Sequence, residues 1–369
     1  MQTNESKMIY RYFGKTGIQL SALGYGNWIN SDFINQETEE LTYQCVKACY
    51  DAGINYFDTA EGYGMGNSER CLGKALKKLK DIKRSDLIIS TKLFMSGNGL
   101  NDRLLSRKHI IEGTEASLHR LELDYVDIIY ANRPDPYTPI EEIVRAFNYL
   151  IDKKGKSFYW GTSFWNPQEI MEANEICEKL DMIKPIGDQC EYNLLKRENV
   201  EVNNLELYNK YGIGLASYSP LCGGLLSGKY IENLDQPNSR YSEKLSINFA
   251  KVILSNYQKM VHDLDSKIKK FTDLSKSIGY DPAPLAIAWC LANSDVSVVL
   301  IGASNIDQIK QNLKSIEIYK KWNLNVEKQI NDIFLNEPIP MMDWKTFQPL
   351  QPRRLQSLHT LNPETKSQN

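Results

Sequence analysis

The stretch FDTAEGYG, Phe57–Gly64, decides how the chain is read. It follows the short apolar run Ile54–Phe57 and opens into a helix-like segment from Asn67, which places Asp58 where a buried strand emerges into a loop that also carries Tyr63. A second strand-like run, Leu87–Thr91, ends the same way in Lys92. An acid, a phenol and an amine at the mouths of adjacent strands suit a proton transfer, because a nearby ammonium stabilises phenolate and an acid fixes the ammonium in place.

Outward from this pair of strands the chain keeps one rhythm, apolar runs alternating with amphipathic stretches, as βα units require. The strand near Leu23–Gly26 precedes a helix near Glu37–Ala52, and Asn55–Asp58 precedes Ser68–Leu79. Leu87–Lys92 leads through a Gly- and Asn-rich loop to Lys108–Leu121, and Val126–Ala131 leads to Ile140–Asp152, with Thr138 expected as N-cap and Pro139 as the first helical residue. Phe158–Ser163 precedes Pro167–Lys179, Ile186–Gln189 precedes a helix around Asn204–Tyr211, Gly214–Tyr218 precedes the long insertion Pro220–Asp265, and Ser297–Ile301 precedes Asn305–Ile316. Eight such units predict an α/β fold of the closed (β/α)8 (TIM barrel) type, with a long loop after the seventh strand. Met8–Phe13 and Gln19–Leu23, joined by the turn residues GKTG, predict an N-terminal β-hairpin before it. The expected organisation is a short polar leader over 1–9, the barrel over 10–340 and a poorly ordered, Pro-, Gln- and Ser-rich tail over 341–369.

Bulk properties exclude several classes. With 44 Lys and Arg against 46 Asp and Glu, the net charge of −2 gives no global field for nucleic acid or anionic lipid. The longest apolar runs fall well short of the roughly 18 residues of a membrane span, and the start MQTNESK has no apolar signal core, so a cytoplasmic chain is expected. The seven cysteines follow no repeated spacing and read as reduced thiols. Cys45 and Cys49, four apart, read as small residues on a buried helix face in preference to metal ligands, so no metal is expected. The run KKLKDIKR, Lys77–Arg84, reads as a solvated helix end in preference to a patch for an acidic partner.

A barrel carries its chemistry at the carboxyl ends of its strands. In order, those ends hold Asn27 and Trp28, Asp58, Lys92, Asn132, Ser163, Gln189, Tyr218 with Ser219, and Gly302 with Ser304. A ring of hydrogen-bonding residues on apolar strands is what a polar ligand across the mouth requires. Tyr63 is the candidate acid, suited to protonating a carbonyl oxygen as hydride reaches the carbon. An amide from Asn132 or Gln189 suits a nicotinamide carboxamide, and Tyr218 suits stacking on its ring. SPLCGGLLSGKY, Ser219–Tyr230, combines glycines, hydroxyls and Lys229 as a diphosphate loop would, and GASNIDQIKQN, Gly302–Asn312, sets a helix N-terminus after the last strand, where barrels often bind phosphate. Neither contains GxGxxG or GxxxxGK[ST], which argues against a Rossmann or P-loop site. A glycosidase pair drawn from Asp58, Asp135 and Glu191 is the weaker alternative.

FDTAEGYG, STK and the late GASN segment resemble the aldo-keto reductases, and ANRPDP (Ala131–Pro136), SRKHIIEG (Ser106–Gly113) and YWGTS (Tyr159–Ser163) are similar to one branch, the β subunits of Shaker-type voltage-gated potassium channels. The resemblance runs from about Tyr10 to Pro338. It implies a barrel that binds NADPH (or NADP) in extended form, with Asp58, Tyr63 and Lys92 as the catalytic group. Where most active reductases of the superfamily have histidine this chain has Asn132, which can donate a hydrogen bond but cannot titrate, so slow reduction of a small aldehyde or ketone is expected. The implied cofactor contacts are Trp28, Asn132, Ser163, Gln189, Ser219, Pro220, Leu221, Gly224, Lys229, Arg240, Gly302, Ser304, Gln308 and Asn312, with Lys229, Arg240 and Ser304 meeting the extra phosphate of NADP.

The chain departs from the branch at several of these places. Phe164 replaces an arginine after YWGTS, Tyr218 a tryptophan, Gln311 a glutamate near the adenine, and Cys222–Gly223 an alanine–cysteine pair. Many members carry a long N-terminal extension that can plug the pore, and with about nine residues before the barrel here fast pore block is not expected. The resemblance implies a homotetramer that meets the cytoplasmic domain of a potassium channel α subunit, peripheral at the membrane through that partner. The residues themselves leave open a free-standing NADPH-dependent reductase of small carbonyl metabolites.

Overall fold

The computed structural model describes residues 8–28, 36–79, 82–230, 248–339, 342–349 and 354. Arg240, the polar leader through residue 7, part of the insertion after the seventh strand and most of the C-terminal tail lie outside these residues. Two compact units make up the chain, one formed by Met1–Cys190, Asn204–Tyr218 and Asp295–Lys310, the other by Glu191–Asn203, Ser219–Ser294 and Gln311–Asn369.

The first unit begins with an antiparallel hairpin, β1 (Tyr10–Tyr12) and β2 (Gln19–Ser21), in which Tyr10 pairs with Ser21. Eight parallel strands follow: β3 (Leu23–Gly26), β4 (Tyr56–Asp58), β5 (Ile88–Leu93), β6 (Val126–Ala131), β7 (Ser157–Ser163), β8 (Gly187–Glu191), β9 (Gly214–Tyr218) and β10 (Val296–Ile301). They close into a barrel in the order β10-β3-β4-β5-β6-β7-β8-β9, and with the helices that surround it this is the (β/α)8 fold the alternation predicts.

Side chains two apart on a strand share a face. Tyr56, Ile88, Ile128, Tyr130, Ala216, Val298 and Leu300 point inward and form one buried cluster with Phe13 and Leu20 of the hairpin. Phe13 reaches that position because β8 and β9 each present a glycine to it. A Cβ on Gly187 would lie 2.2 Å from its ring, and one on Gly214 2.6 Å. Two residues further along the same face, Tyr56 gives way to Asp58 and Ile88 to Ser90 and then Lys92. The alternation that builds an apolar floor therefore delivers polar groups to the opposite end.

Helices α1 (Gln36–Asp51), α2 (Asn67–Lys78), α3 (Arg107–Leu121), α4 (Ile140–Asp152) and α5 (Pro167–Leu180) belong to this unit. Their starts follow local chemistry. Ser106 caps α3 by accepting from the His109 amide at 3.2 Å, and Asn166, Pro167 and Glu169 form a complete capping box with proline in the first turn of α5. The expected cap of α4 is corrected by the structure. Thr138 donates its hydroxyl to Asp135 at 2.7 Å, and Pro139, extended at ψ 137°, stands at the N-cap with the helix beginning at Ile140. The helix expected around Asn204–Tyr211 forms π-type turns at Asn199–Asn203 and Leu207–Tyr211 instead. The single helix expected after β10 divides into α9 (Ile306–Leu313) and α10 (Ser315–Lys320); α6 (Asn248–Met260), α7 (Leu264–Ser277) and α8 (Pro282–Leu291) precede that strand. Cys45 and Cys49 are buried on α1.

In the second unit every residue of α8 is buried, and α11 (Leu324–Phe334) is capped by Asn323. Its polar interior is a closed ion network. The Arg354 guanidinium lies 3.9 Å from the Trp289 ring centroid and donates to Glu327 at 2.7 and 3.0 Å, to the Tyr192 hydroxyl at 3.1 Å and to the Trp289 carbonyl at 2.6 Å. Arg197 pairs with Glu201 at 2.8 and 2.9 Å, and Tyr192 donates to Glu201 at 2.7 Å. Among the described residues no helix is long and apolar enough to cross a membrane.

Candidate active site

At the carboxyl ends of β4 and β5 in the first unit, Asp58 stands beside Ser90 in the strand register, and Lys92 follows Ser90 on the same face. β5 runs one residue beyond Lys92, so the lysine lies within the strand and its Cα is fixed by the ladder to β6, opposite Tyr130. Its ammonium donates to Asp58 Oδ2 at 2.5 Å and to the Thr59 carbonyl at 2.7 Å, and lies 4.8 Å from the Tyr63 ring centroid. Asp58 Oδ1 accepts from Ser90 Oγ at 2.6 Å and from Gln189 Nε2 at 3.0 Å. Both charges are nearly inaccessible, at 1% for Lys92 and 3% for Asp58, and burial of a charge is tolerated only with such pairing.

Tyr63 sits in a short 3-10 turn, Tyr63–Gly66, and the loop leading to it is tied to β5 and to the residue that follows that strand. Glu61 N–H donates to the Lys92 carbonyl at 3.1 Å, and Glu61 Oε1 accepts from the Phe94 amide at 2.5 Å. The same carboxylate meets His109 Nε2 at 2.9 Å. Burial raises the Tyr63 phenol above its ordinary value and Lys92 opposes that rise, so the hydroxyl keeps its proton while a cation waits for the phenolate. Burial alone would lower the Lys92 ammonium, but the Asp58 carboxylate and the phenol more than offset it and the group stays charged. Below, Ser90 Oγ meets the Tyr56 hydroxyl at 2.9 Å, which meets Tyr130 at 3.1 Å, and burial pushes both phenols up, so they anchor Asp58 without titrating.

Ser90 is the member of this cluster that sequence reasoning missed. The signal was the STK motif itself, since a serine two residues before Lys92 shares its inward face. Gln189, read for a carboxamide, has its amide nitrogen on Asp58, and Ser163 Oγ donates to the Gln189 carbonyl at 2.8 Å. Asn27 is committed to the Ser68 carbonyl at 2.7 Å, at the start of α2. Trp28, 37% exposed, holds its ring 6.3 Å from that of Tyr63, and the half-buried Tyr218 lies 5.2 Å from Phe164. Asn132 donates its backbone amide to the Leu93 carbonyl at 3.0 Å. After β10, Gly302 is exposed, and Ser304 N–H and Oγ meet Gln308 Oε1 at 2.9 and 3.2 Å.

Ser219, Pro220, Leu221, Cys222, Gly224, Lys229, Gln311 and Asn312 belong to the second unit. Ser219–Tyr230 is turned by positive φ at Ser219, Cys222, Gly223, Gly224 and Gly228, with a 3-10 segment over Cys222–Ser227 and the Lys229 ammonium 4.6 Å from the Tyr230 ring centroid. Arg240 lies outside the described residues. The carboxylates of the glycosidase alternative are otherwise engaged. Asp135 accepts from the Leu105 amide, the Tyr137 amide and Thr138 at 2.7–2.9 Å, and Glu191 accepts from Lys196 at 2.6 Å and from the Tyr257 hydroxyl.

A nicotinamide suits the groups at this mouth: a carboxamide-type side chain in Asn132, with no hydrogen-bond partner for it among the described residues, and the aromatic ring of Tyr218 at the end of β9. Residues 22–327 match the model of the aldo/keto reductase family. A relative from Arabidopsis thaliana, named a probable voltage-gated potassium channel subunit beta, is 42% identical over 331 residues, covering 90% of this chain and 98% of its own. A relative of the same name from Oryza sativa subsp. japonica is 41% identical over the same shares.

Proposed function

The chain belongs to the aldo/keto reductase family, and from that premise we propose that it is an NADPH-dependent reductase of small aldehydes or ketones that serves as the β subunit of a voltage-gated potassium channel. The observation that carries the chemistry is the convergence of Lys92 on Asp58, Thr59 and Tyr63 at one end of the barrel. The nicotinamide, when bound, supplies a hydride to the carbonyl carbon. Tyr63 gives its hydroxyl proton to the carbonyl oxygen, the Lys92 ammonium stabilises the phenolate that results, and Asp58 keeps the ammonium charged and aimed. Asn132 and Tyr218 would hold the carboxamide and ring. Because asparagine cannot titrate, the proton comes from Tyr63 alone, and turnover is slow.

The channel role is supported by the names of the two relatives; assembly as a homotetramer that meets the channel's cytoplasmic domain is part of the same proposal. Ser219, Pro220, Leu221, Cys222, Gly224, Lys229 and Arg240, with Gly302, Ser304, Gln308, Gln311 and Asn312, are the proposed contacts for the rest of the NADPH. The intact Asp58, Tyr63 and Lys92 also suit a free-standing reductase, the second reading. Single-turnover oxidation of NADPH by an aldehyde tests the chemistry: Tyr63→Phe should lower the rate by ~10² to 10⁴ while NADPH binding, followed by fluorescence, persists. An unchanged rate refutes the assigned acid. Failure of the intact protein to capture a channel cytoplasmic domain, with aldehyde turnover at an ordinary enzyme rate, selects the second reading.

A further inference from the structure

Arg133 is the second residue after β6, in the loop ANRPDP, and this loop is held rigidly. Asn132 N–H is fixed to β5, prolines flank the next turn, and Asp135 accepts three hydrogen bonds from Leu105, Tyr137 and Thr138. The acid nearest in sequence is therefore committed to the loop itself. Among the described residues no carboxylate pairs with the Arg133 guanidinium, which is exposed and stands 4.5 Å from the centroid of the Phe164 ring. Phe164 follows β7 directly in left-handed backbone (φ 64°), is 46% exposed, and leans on Tyr218.

The Lys92 charge is already answered by Asp58, whereas the Arg133 charge has no carboxylate partner among the described residues. A guanidinium lying over an aromatic ring gains a cation–π contact without spending its N–H donors, and those donors suit a carboxylate in bidentate contact. The Arg133 charge also reaches Tyr63, where it helps to lower the phenol. An anion on Arg133 thus lies on the same rim as the proton donor.

We propose that Arg133, seated on Phe164, is a substrate subsite that selects aldehydes carrying a carboxylate. The inference rests on the reductase reading above and deepens it, since it names the class of carbonyl compound. Arg133 is a specificity residue here: the carboxylate accepts from its N–H edge while the carbonyl oxygen faces Tyr63.

The experiment compares 4-carboxybenzaldehyde with its neutral methyl ester, methyl 4-formylbenzoate, in wild type, Arg133→Gln and Arg133→Lys. The ratio of kcat/KM for acid over ester should favour the acid by roughly tenfold in wild type, collapse in Arg133→Gln through the KM of the acid, and recover only in part in Arg133→Lys. The wild-type ratio should shrink with added salt and the Arg133→Gln ratio should not. Ligand-observed NMR of the product, 4-(hydroxymethyl)benzoate, gives a readout without turnover, and its binding should weaken by the same factor. Equal kcat/KM for acid and ester in wild type overturns the subsite and leaves the reductase reading standing, whereas reduction of neither aldehyde sinks both. A rise in the KM for NADPH that is the same with either aldehyde assigns Arg133 to the cofactor and also overturns the proposal.

Discussion

Asp188 in β8 offers a test of the barrel's electrostatics apart from catalysis. Its carboxyl is fully buried on the strand beside β7, where Thr162 donates to it at 2.8 Å. Burial pushes it up to about 7 from 3.8, with Thr162 and Cys190 pulling the other way. The folded chain therefore holds this proton after the unfolded chain has released it, and stability must fall as pH rises from about 4 to about 7 and level off above. At 1.36 kcal/mol per pH unit the full effect is about 4 kcal/mol, an upper figure for a group with no solvent to share the charge. Asp188→Asn keeps the acceptor for Thr162 and removes the ionisation. Urea denaturation of both proteins between about pH 4 and pH 8 should show near-equal stability at the acid end and a variant that is more stable by up to about 4 kcal/mol at the other. Curves that stay parallel across that range, or a variant weaker at pH 8, would refute the reasoning.

Three further expectations follow from the same geometry. Phe13→Ala empties the floor between Gly187 and Gly214 and should cost about 3–5 kcal/mol in denaturant unfolding, since no neighbouring side chain can collapse into the space without moving two strands. Arg354→Met leaves Glu327, held below its ordinary range against burial by Arg354, as an unanswered buried charge; the loss should be about 3–5 kcal/mol at neutral pH and smaller near pH 4, where Glu327 takes up a proton. Burial holds the Tyr63 phenol above 10.0, and Asp58 with the phenol holds Lys92 charged, so the single-turnover reduction rate should stay level between about pH 6 and 9 and fall only in strongly alkaline buffer. A decline centred near neutrality would point to a different acid.

The fold was legible because strand periodicity and helix periodicity are both local. Val126–Ala131, Ile140–Asp152 and Gly214–Tyr218 are found at the bounds their hydrophobic patterns predict. Asp58 and Lys92 were legible too, since each ends or nearly ends an apolar run. What escaped depended on partners distant in sequence. Thr138 looks like a cap until Asp135 is seen to take its hydroxyl, and nothing near Gln189 in sequence shows that its amide nitrogen donates to Asp58, 131 residues earlier. Glu201 lies just before the helix expected around Asn204–Tyr211, yet it turns inward to Arg197 and Tyr192 within a π-type turn. Arg354, in a stretch without apolar periodicity, is buried through five contacts that no local window contains.

The seam that closes the barrel joins β10 to β3, with Val299 beside Leu23. During synthesis β3 emerges among the first elements, and at ~5–20 residues per second its far-side neighbour follows roughly 270 residues later, a wait of tens of seconds. Through that interval β3 presents an unpaired edge beside an already formed hairpin, a template for any passing strand. The nascent chain is most in need of a chaperone from the moment β4 pairs until the last strand leaves the ribosome, and slowing translation before Val296 should increase aggregation without altering the mature protein.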